Sequence, residues 1–279
     1  MCLVALALDV HPRFPLVLAS NRDEFFERPA ALLDWWTPEG ASRPVLGGRD
    51  LRNGGTWMAL SAGGRLALVT NVRNPADNDA AAPSRGEIVT DWLAGAHSLD
   101  AFGPRLLARG YNGVNLLAAD LAANPGWTWM SNRAGPPQRL AHGVHGLSNA
   151  RLDTPWPKVE RLKGRLQEAL ATARSADALA ESLFHALADR TVPADSELPS
   201  TGVPTEWERW LAPAFIRTPD ARYGTRCSTL LIAERMADGA LFTRLIERSH
   251  APGDGLPATE RRVELPDWPP RPPALPGRR

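Results

Sequence analysis

Two stretches near the start decide how the chain is read: Met1-Cys2-Leu3-Val4-Ala5-Leu6-Ala7-Leu8 and Leu16-Val17-Leu18-Ala19-Ser20-Asn21-Arg22-Asp23-Glu24-Phe25. The apolar runs at 2–8 and 16–20 are short and flank a Pro-containing turn at His11-Pro12-Arg13, a pattern that predicts two strands. Asn21-Arg22-Asp23-Glu24 then reads as a polar cluster at the end of the second strand, ahead of Phe25-Phe26. Asp23 can orient an amine there, and Arg22 can hold a carboxylate or lower a thiol pKa. A salt-bridged turn would use the same four residues.

Cys2 directly follows the initiator methionine. If Met1 is removed, one residue carries both a thiol and a free α-amine, whose ordinary pKa values of about 8.5 and about 7.7–8.0 let them exchange a proton near neutrality. Taken alone, Cys2 equally reads as an apolar residue opening a buried strand.

Working outward, residues 56–61 and 65–71 form a hairpin pattern around Ala62-Gly63-Gly64. Ser84 and Glu87 make a capping-box pattern ahead of an apolar stripe at Ile88, Val89, Trp92 and Leu93. A second helix is expected over 99–109, closed by Gly110, followed by strands at 114–120 and 127–132. Helices at 155–173 and 176–188 come next, the first carrying Val159, Leu162, Leu166 and Leu170 at helical spacing. Strands at 225–233, 241–247 and 261–265 complete the pattern. Strands, then helices, then strands predict a layered α+β domain over 1–265, not a doubly wound sheet. The Pro/Arg-rich stretch 266–279 is expected to be an extended, poorly ordered tail.

Composition removes several function classes. The 279 residues carry 32 Lys+Arg against 31 Asp+Glu, a net charge of +1, which leaves no electrostatic footprint for nucleic acid. Lys occurs only at 158 and 163, so nearly all cations are Arg and an Arg-based motif is easier to meet by chance. Two cysteines, Cys2 and Cys227, are too few for a disulfide scaffold or a Cys-rich zinc site. His142-Gly143-Val144-His145 suits a strand or turn and brings no third ligand, so no metal site is expected. The run at 3–8 lacks a signal peptide's basic flank and is too short to span a bilayer, which predicts a cytoplasmic protein without stable membrane insertion. No Gly-rich phosphate loop argues for a nucleotide.

The opening Met-Cys-Leu-Val, the Asn21-Arg22-Asp23-Glu24 tetrad and Arg28-Pro29 resemble the NRDE family, also called the transport-and-Golgi-organisation family. Further pieces follow in the family's order. They are Gly47-Gly48-Arg49-Asp50, Gly54-Gly55-Thr56-Trp57, Thr70-Asn71-Val72-Arg73, Ser84-Arg85-Gly86, Gly146-Leu147-Ser148-Asn149, Leu152-Asp153-Thr154-Pro155-Trp156-Pro157-Lys158 and Tyr223-Gly224-Thr225-Arg226-Cys227-Ser228-Thr229.

The resemblance implies a four-layer αββα sandwich similar to the N-terminal-nucleophile hydrolases, whose cysteine amidases include penicillin V acylases and bile-salt hydrolases. It implies Cys2 as nucleophile, Asp23 beside its amine, Asn71 contacting the substrate or helping the oxyanion, and Asn149 as the main side-chain oxyanion donor. Arg226 matches the last arginine of the set. Arg22 lies near a family arginine, although the amidases space Arg and Asp further apart. Glu24 has no matching catalytic role and can brace Arg22 or Arg28.

Two readings of function follow. One is an N-terminal-cysteine hydrolase or acyltransferase acting on a small-molecule amide or thioester without a required cofactor. The other is a non-catalytic carrier for haem or an acyl-CoA or lipid ligand, since the family is linked to haem trafficking. No haem-attachment motif is evident in the sequence, and cofactor-binding residues and oligomeric state are not legible in it. A secretory-pathway interaction role comes from the family's name alone.

Overall fold

The computed structural model describes residues 3–95, 97–253 and 258–270. The strands and helices run β1 (Leu3–Leu8), β2 (Leu16–Phe25), β3 (Ala30–Trp36), β4 (Val45–Asp50), β5 (Met58–Ser61), β6 (Arg65–Asn71), α1 (Gly86–Ala94), α2 (Leu99–Ala108), β7 (Val114–Asp120), β8 (Asn124–Ser131), β9 (Gln138–Arg139), β10 (Gly143–Leu147), α3 (Pro157–Thr172), α4 (Ala176–Leu187), α5 (Thr205–Leu211), β11 (Tyr223–Arg235), β12 (Leu241–Ser249) and β13 (Thr259–Pro266). Among the described residues they form two antiparallel sheets, ordered β10-β1-β2-β11-β12-β13 and β3-β4-β5-β6-β7-β8-β9.

The central strands are apolar on both faces because both faces are covered. Along β6, Leu66 and Leu68 face the other sheet, whereas Ala67 and Val69 face helices. On β1, Val4 and Leu6 enter the inter-sheet core and Leu3, Ala5 and Ala7 meet the helical layer. The period of two therefore survives as a division between two cores, not as an apolar/polar alternation. α3 and α4 lie on β1, β2, β10 and β11 through Leu162, Leu166, Leu179 and Leu183. α1 and α2 cover the other sheet through Ile88, Val89, Trp92 and Phe102. The result is a four-layer αββα sandwich, as expected. Each fully buried side chain of this kind contributes about 1.5–3 kcal/mol relative to exposure.

Three local expectations need correction. Ser84 does not form a capping box: the N-cap of α1 is Arg85, and Glu87 instead accepts a 2.7 Å bond from Tyr111 Oη. The chain past residue 265 is tied down at its start. Pro266 ends β13, and Trp268 is 3% exposed, with its Nε1 donating to Ser61 O at 2.8 Å and its carbonyl accepting from Thr243 Oγ1 at 2.6 Å. The remaining tail, 271–279, lies outside the described residues. The third correction concerns the tetrad. No helix among the described residues is long and apolar enough to cross a membrane.

Candidate active site

Asn21-Arg22-Asp23-Glu24 lies inside β2, which runs on to Phe25, and is not a turn after it. Asn21, Arg22 and Asp23 are 0%, 4% and 4% exposed. A central strand can bury such residues because β1 and β11 flank it and supply partners on both sides. Asn21 Nδ2 donates to Leu187 O at 2.9 Å and Ala214 O at 2.8 Å, while its Oδ1 accepts from Ser228 Oγ at 2.7 Å. That side chain is therefore a rivet between β2, β11 and the helical layer.

Asp23, on the same face, accepts from Thr225 Oγ1 at 2.7 Å. Thr225 is fully buried, and its Oγ1 in turn accepts from Ile216 N at 2.8 Å. Arg22 alternates to the inter-sheet side, where its guanidinium carbon stands 4.2 Å from the ring centroid of Trp57. Glu24 Oε2 lies 3.8 Å from both Arg22 Nη2 and Arg28 Nε, loose ion pairs at the mouth of the site. Arg28 makes its short contact with Asp50, at 2.6 Å, and this bond holds the Arg28 pKa above its ordinary value.

A register shift between Thr225 and Cys227 marks a bulge at Arg226. Its Nη1 donates to the carbonyls of Phe25, Phe26 and Arg28 at 2.9, 3.2 and 2.8 Å, so it clamps the turn that follows β2. Burial, reinforced by the positive charge of Arg22, lowers the Arg226 pKa. Below Arg22 the inter-sheet core holds Cys227, 4% exposed, and Glu247, 2% exposed. Burial pushes both groups up, the thiol well above its usual range.

A cavity of about 310 Å³ opens against these strands, lined by Arg22, Asp23, Glu24, Arg28, Trp57 and Asn71, with the 78–86 segment as another wall. Asn149 lines a second cavity, of about 540 Å³. Asn149 Nδ2 donates to Asn71 O at 2.9 Å, a bond that links the wall of one cavity to the wall of the other. The fold thus gathers Arg22, Asp23, Glu24 and Asn71 around one cavity and brings Asn149 to its edge. Arg226 acts on the backbone behind them, and Asn21 is engaged structurally. Cys2 lies outside the described residues; Leu3, bonded to it, heads β1 opposite Asn21.

Sequence reasoning did not single out Thr225, Trp57 or Asp50. Each lies within a quoted motif piece, and that was the only signal available. Their roles depend on cross-strand neighbours that spacing does not reveal. His145 forms a 3.0 Å contact with Asp153, and no group of three or more His, Cys, Asp or Glu residues suited to a metal occurs among the described residues.

Two antiparallel sheets between helices, with a polar cleft where the start of β1 meets the end of β2, define a four-layer αββα sandwich of the α+β class. The chain belongs to the Transport and Golgi organisation 2 family, whose pattern matches residues 1–248. It is 36% identical to the bovine (Bos taurus) Transport and Golgi organization protein 2 homolog over 86% of this chain and 90% of that protein. The human (Homo sapiens) homolog is 34% identical over the same shares. Among solved structures, the mutant C2A conjugated bile acid hydrolase from Clostridium perfringens is similar with a TM-score of 0.49 and 10% identity, over 95% of this chain and 92% of that one.

Proposed function

We propose that this chain is an N-terminal-cysteine acyl-transfer enzyme that cleaves a non-peptide amide or thioester through an acyl-cysteine intermediate. The observation that carries the reading is the cavity of about 310 Å³ lined by Arg22, Asp23 and Asn71 beside the head of β1. The β1–β2 ladder pairs Val4 with Ser20 and Leu3 with Asn21, a progression toward the buried Arg22.

After loss of Met1, the Cys2 thiol passes its proton to its own α-amine, and the sulfur attacks the substrate carbonyl carbon. Arg22 favours the thiolate electrostatically, and Asp23, held by Thr225, favours the ammonium. The carbonyl π electrons move to oxygen. Asn149 has two amide hydrogens; one is held by Asn71 O, which aims the other at the oxyanion. One such donor contributes about 2.7–4 kcal/mol of transition-state stabilisation. The oxyanion collapses, the bond to the leaving nitrogen or sulfur breaks, and the leaving group takes the proton from the ammonium. Water then attacks the thioester and gives a proton to the amine. The C–S bond breaks, the acid departs, and the thiolate recovers its proton.

Hydrolysis of a panel of p-nitrophenyl acyl esters and acyl thioesters by wild type and Cys2→Ser tests the reading. A fall in turnover by about 10³-fold or more supports it. Equal turnover in the variant contradicts it. Binding without turnover in the wild type would favour the carrier reading.

A further inference from the structure

The larger cavity has a composition that the acyl-transfer step does not explain. Arg73, Arg133 and Arg151 line it, and no carboxylate residue does. Arg73 is rigidly held: its Nη1 donates to Glu208 Oε2 at 2.8 Å, and its guanidinium carbon lies 5.1 Å from the Trp156 ring centroid. Glu208 is only 3% exposed, and its other oxygen accepts from Thr201 N and Thr201 Oγ1 at 2.8 and 2.7 Å. One buried carboxylate therefore ties Arg73, just beyond the end of β6, to the 199–201 wall of the cavity.

The other two cations are held far less. Arg133 faces Asp77 at 3.5 Å, with 37% and 47% of their side chains exposed, a geometry that neutralises little. Arg151 forms no ion pair among the described residues and lines the cavity directly. The cavity thus carries surplus positive charge on planar guanidinium forks, which suit carboxylate and phosphate oxygens. Trp156 adds a flat apolar surface beside them.

Asn149 belongs to this cavity and also bonds Asn71 O at the edge of the smaller one. We propose that the larger cavity binds the anionic end group, a carboxylate or a phosphate, of the ligand whose acyl carbonyl is presented at Asn149. The link to an acyl carbonyl rests on the acyl-transfer reading above; the anion site itself does not. The ligand then spans both cavities, its charge among Arg133, Arg151 and the Arg73 side, its reacting bond toward Arg22 and Asp23.

The test uses the full chain as wild type, as the Arg133→Gln/Arg151→Gln double variant, and as Arg165→Gln, which removes one exposed positive charge elsewhere, on α3. Glutarate and inorganic pyrophosphate are titrated by calorimetry at low and raised salt. The wild type and Arg165→Gln should bind at least one probe alike, and the double variant should bind it about tenfold or more weakly. Preference for glutarate identifies a carboxylate ligand, and preference for pyrophosphate a phosphate. Failure of the wild type to bind either probe, or equal binding by the double variant, overturns the proposal.

A second arm compares p-nitrophenyl hemiglutarate with p-nitrophenyl butyrate. The ratio of anionic to neutral ester rates should fall about tenfold in the double variant. Arg-dependent anion binding with no acylation of Cys2 by either ester would leave the anion site standing and contradict the acyl-transfer reading.

Discussion

Asn149 Nδ2 donates to the main-chain oxygen of Asn71 at 2.9 Å, so one hydrogen bond joins the segment after β10 to the end of β6 in the facing sheet. The same side chain accepts from Ser148 Oγ at 3.3 Å, which fixes the amide's orientation. Removing it separates structural from chemical effects. Asn149→Ala should lower unfolding stability by about 1 kcal/mol, the net worth of one such bond. Turnover of acyl esters should fall by about 10²–10³-fold, as for loss of an oxyanion donor. Urea midpoints and kcat, measured on the same preparation, read the two; a stability loss with unchanged kcat contradicts the assigned role.

Thr225 is the hinge between Asp23 and the Ile216 backbone. Thr225→Val keeps the shape and removes the hydroxyl, leaving a buried N–H and a buried carboxylate oxygen each short of a partner. The expected cost is about 1–3 kcal/mol in unfolding free energy. Thr225→Ser retains the hydroxyl and should recover most of it. Equal denaturation midpoints for Val and Ser would show that the hydroxyl does not matter.

Arg226 clamps three carbonyls through a single nitrogen, Nη1, of a guanidinium that packs over the Phe26 ring, and a flexible lysine stem lacks the planar group that holds that nitrogen in place. Arg226→Lys and Arg226→Gln should both raise protease sensitivity between Phe25 and Arg28, read by limited proteolysis and mass mapping. Cleavage at wild-type rates would mean that the turn holds without the clamp.

The apolar runs of β1 and β2, the β5–β6 hairpin and helices α3 and α4 were legible because each signal is local. β4 was not: Val45-Leu46-Gly47-Gly48-Arg49-Asp50 carries two glycines, which read against a strand. A Cβ on Gly48 would run into the Trp57 ring, so close packing, not flexibility, selects that glycine. β10 hid for the same reason, since a Cβ on Gly146 would come within 2.5 Å of Val159 Cγ1 on α3. Asn21 and Asp23 were legible as special residues but not as strand residues. Four polar side chains in a row look solvated unless Ser228, Thr225, Leu187 and Ala214 are known to meet them. Arg226 stood out through the family resemblance alone, since its bulge and the turn it clamps exist only in the paired sheet.

Two histidines give stability opposite pH dependences. Burial, reinforced by the positive charges of Arg217, Arg248 and Arg190, lowers the His250 pKa to about 4. Between that value and the ordinary value of about 6.5, the unfolded chain binds the extra proton, so stability falls as pH drops. The hydrogen bond to Asp153 raises His145 instead. Its contribution is full below about 6.5 and is lost as pH rises through the raised folded value. Urea midpoints across pH should show His250→Gln flattening the acid limb and His145→Gln flattening the limb above about pH 6.5. Profiles parallel to wild type would contradict both assignments.

The acyl-transfer reading makes Cys2 the acyl-accepting group. The decisive measurement is the intact mass of the purified protein before and after a p-nitrophenyl acyl ester, followed by peptide mapping. Cys227, at 4% exposure with its thiol pKa pushed up, provides an internal control. Loss of Met1, a single acyl adduct on the Cys2 peptide and no adduct in Cys2→Ala are the expected results. Retention of Met1 in protein that turns over ester, or the same adduct in Cys2→Ala, would contradict that reading.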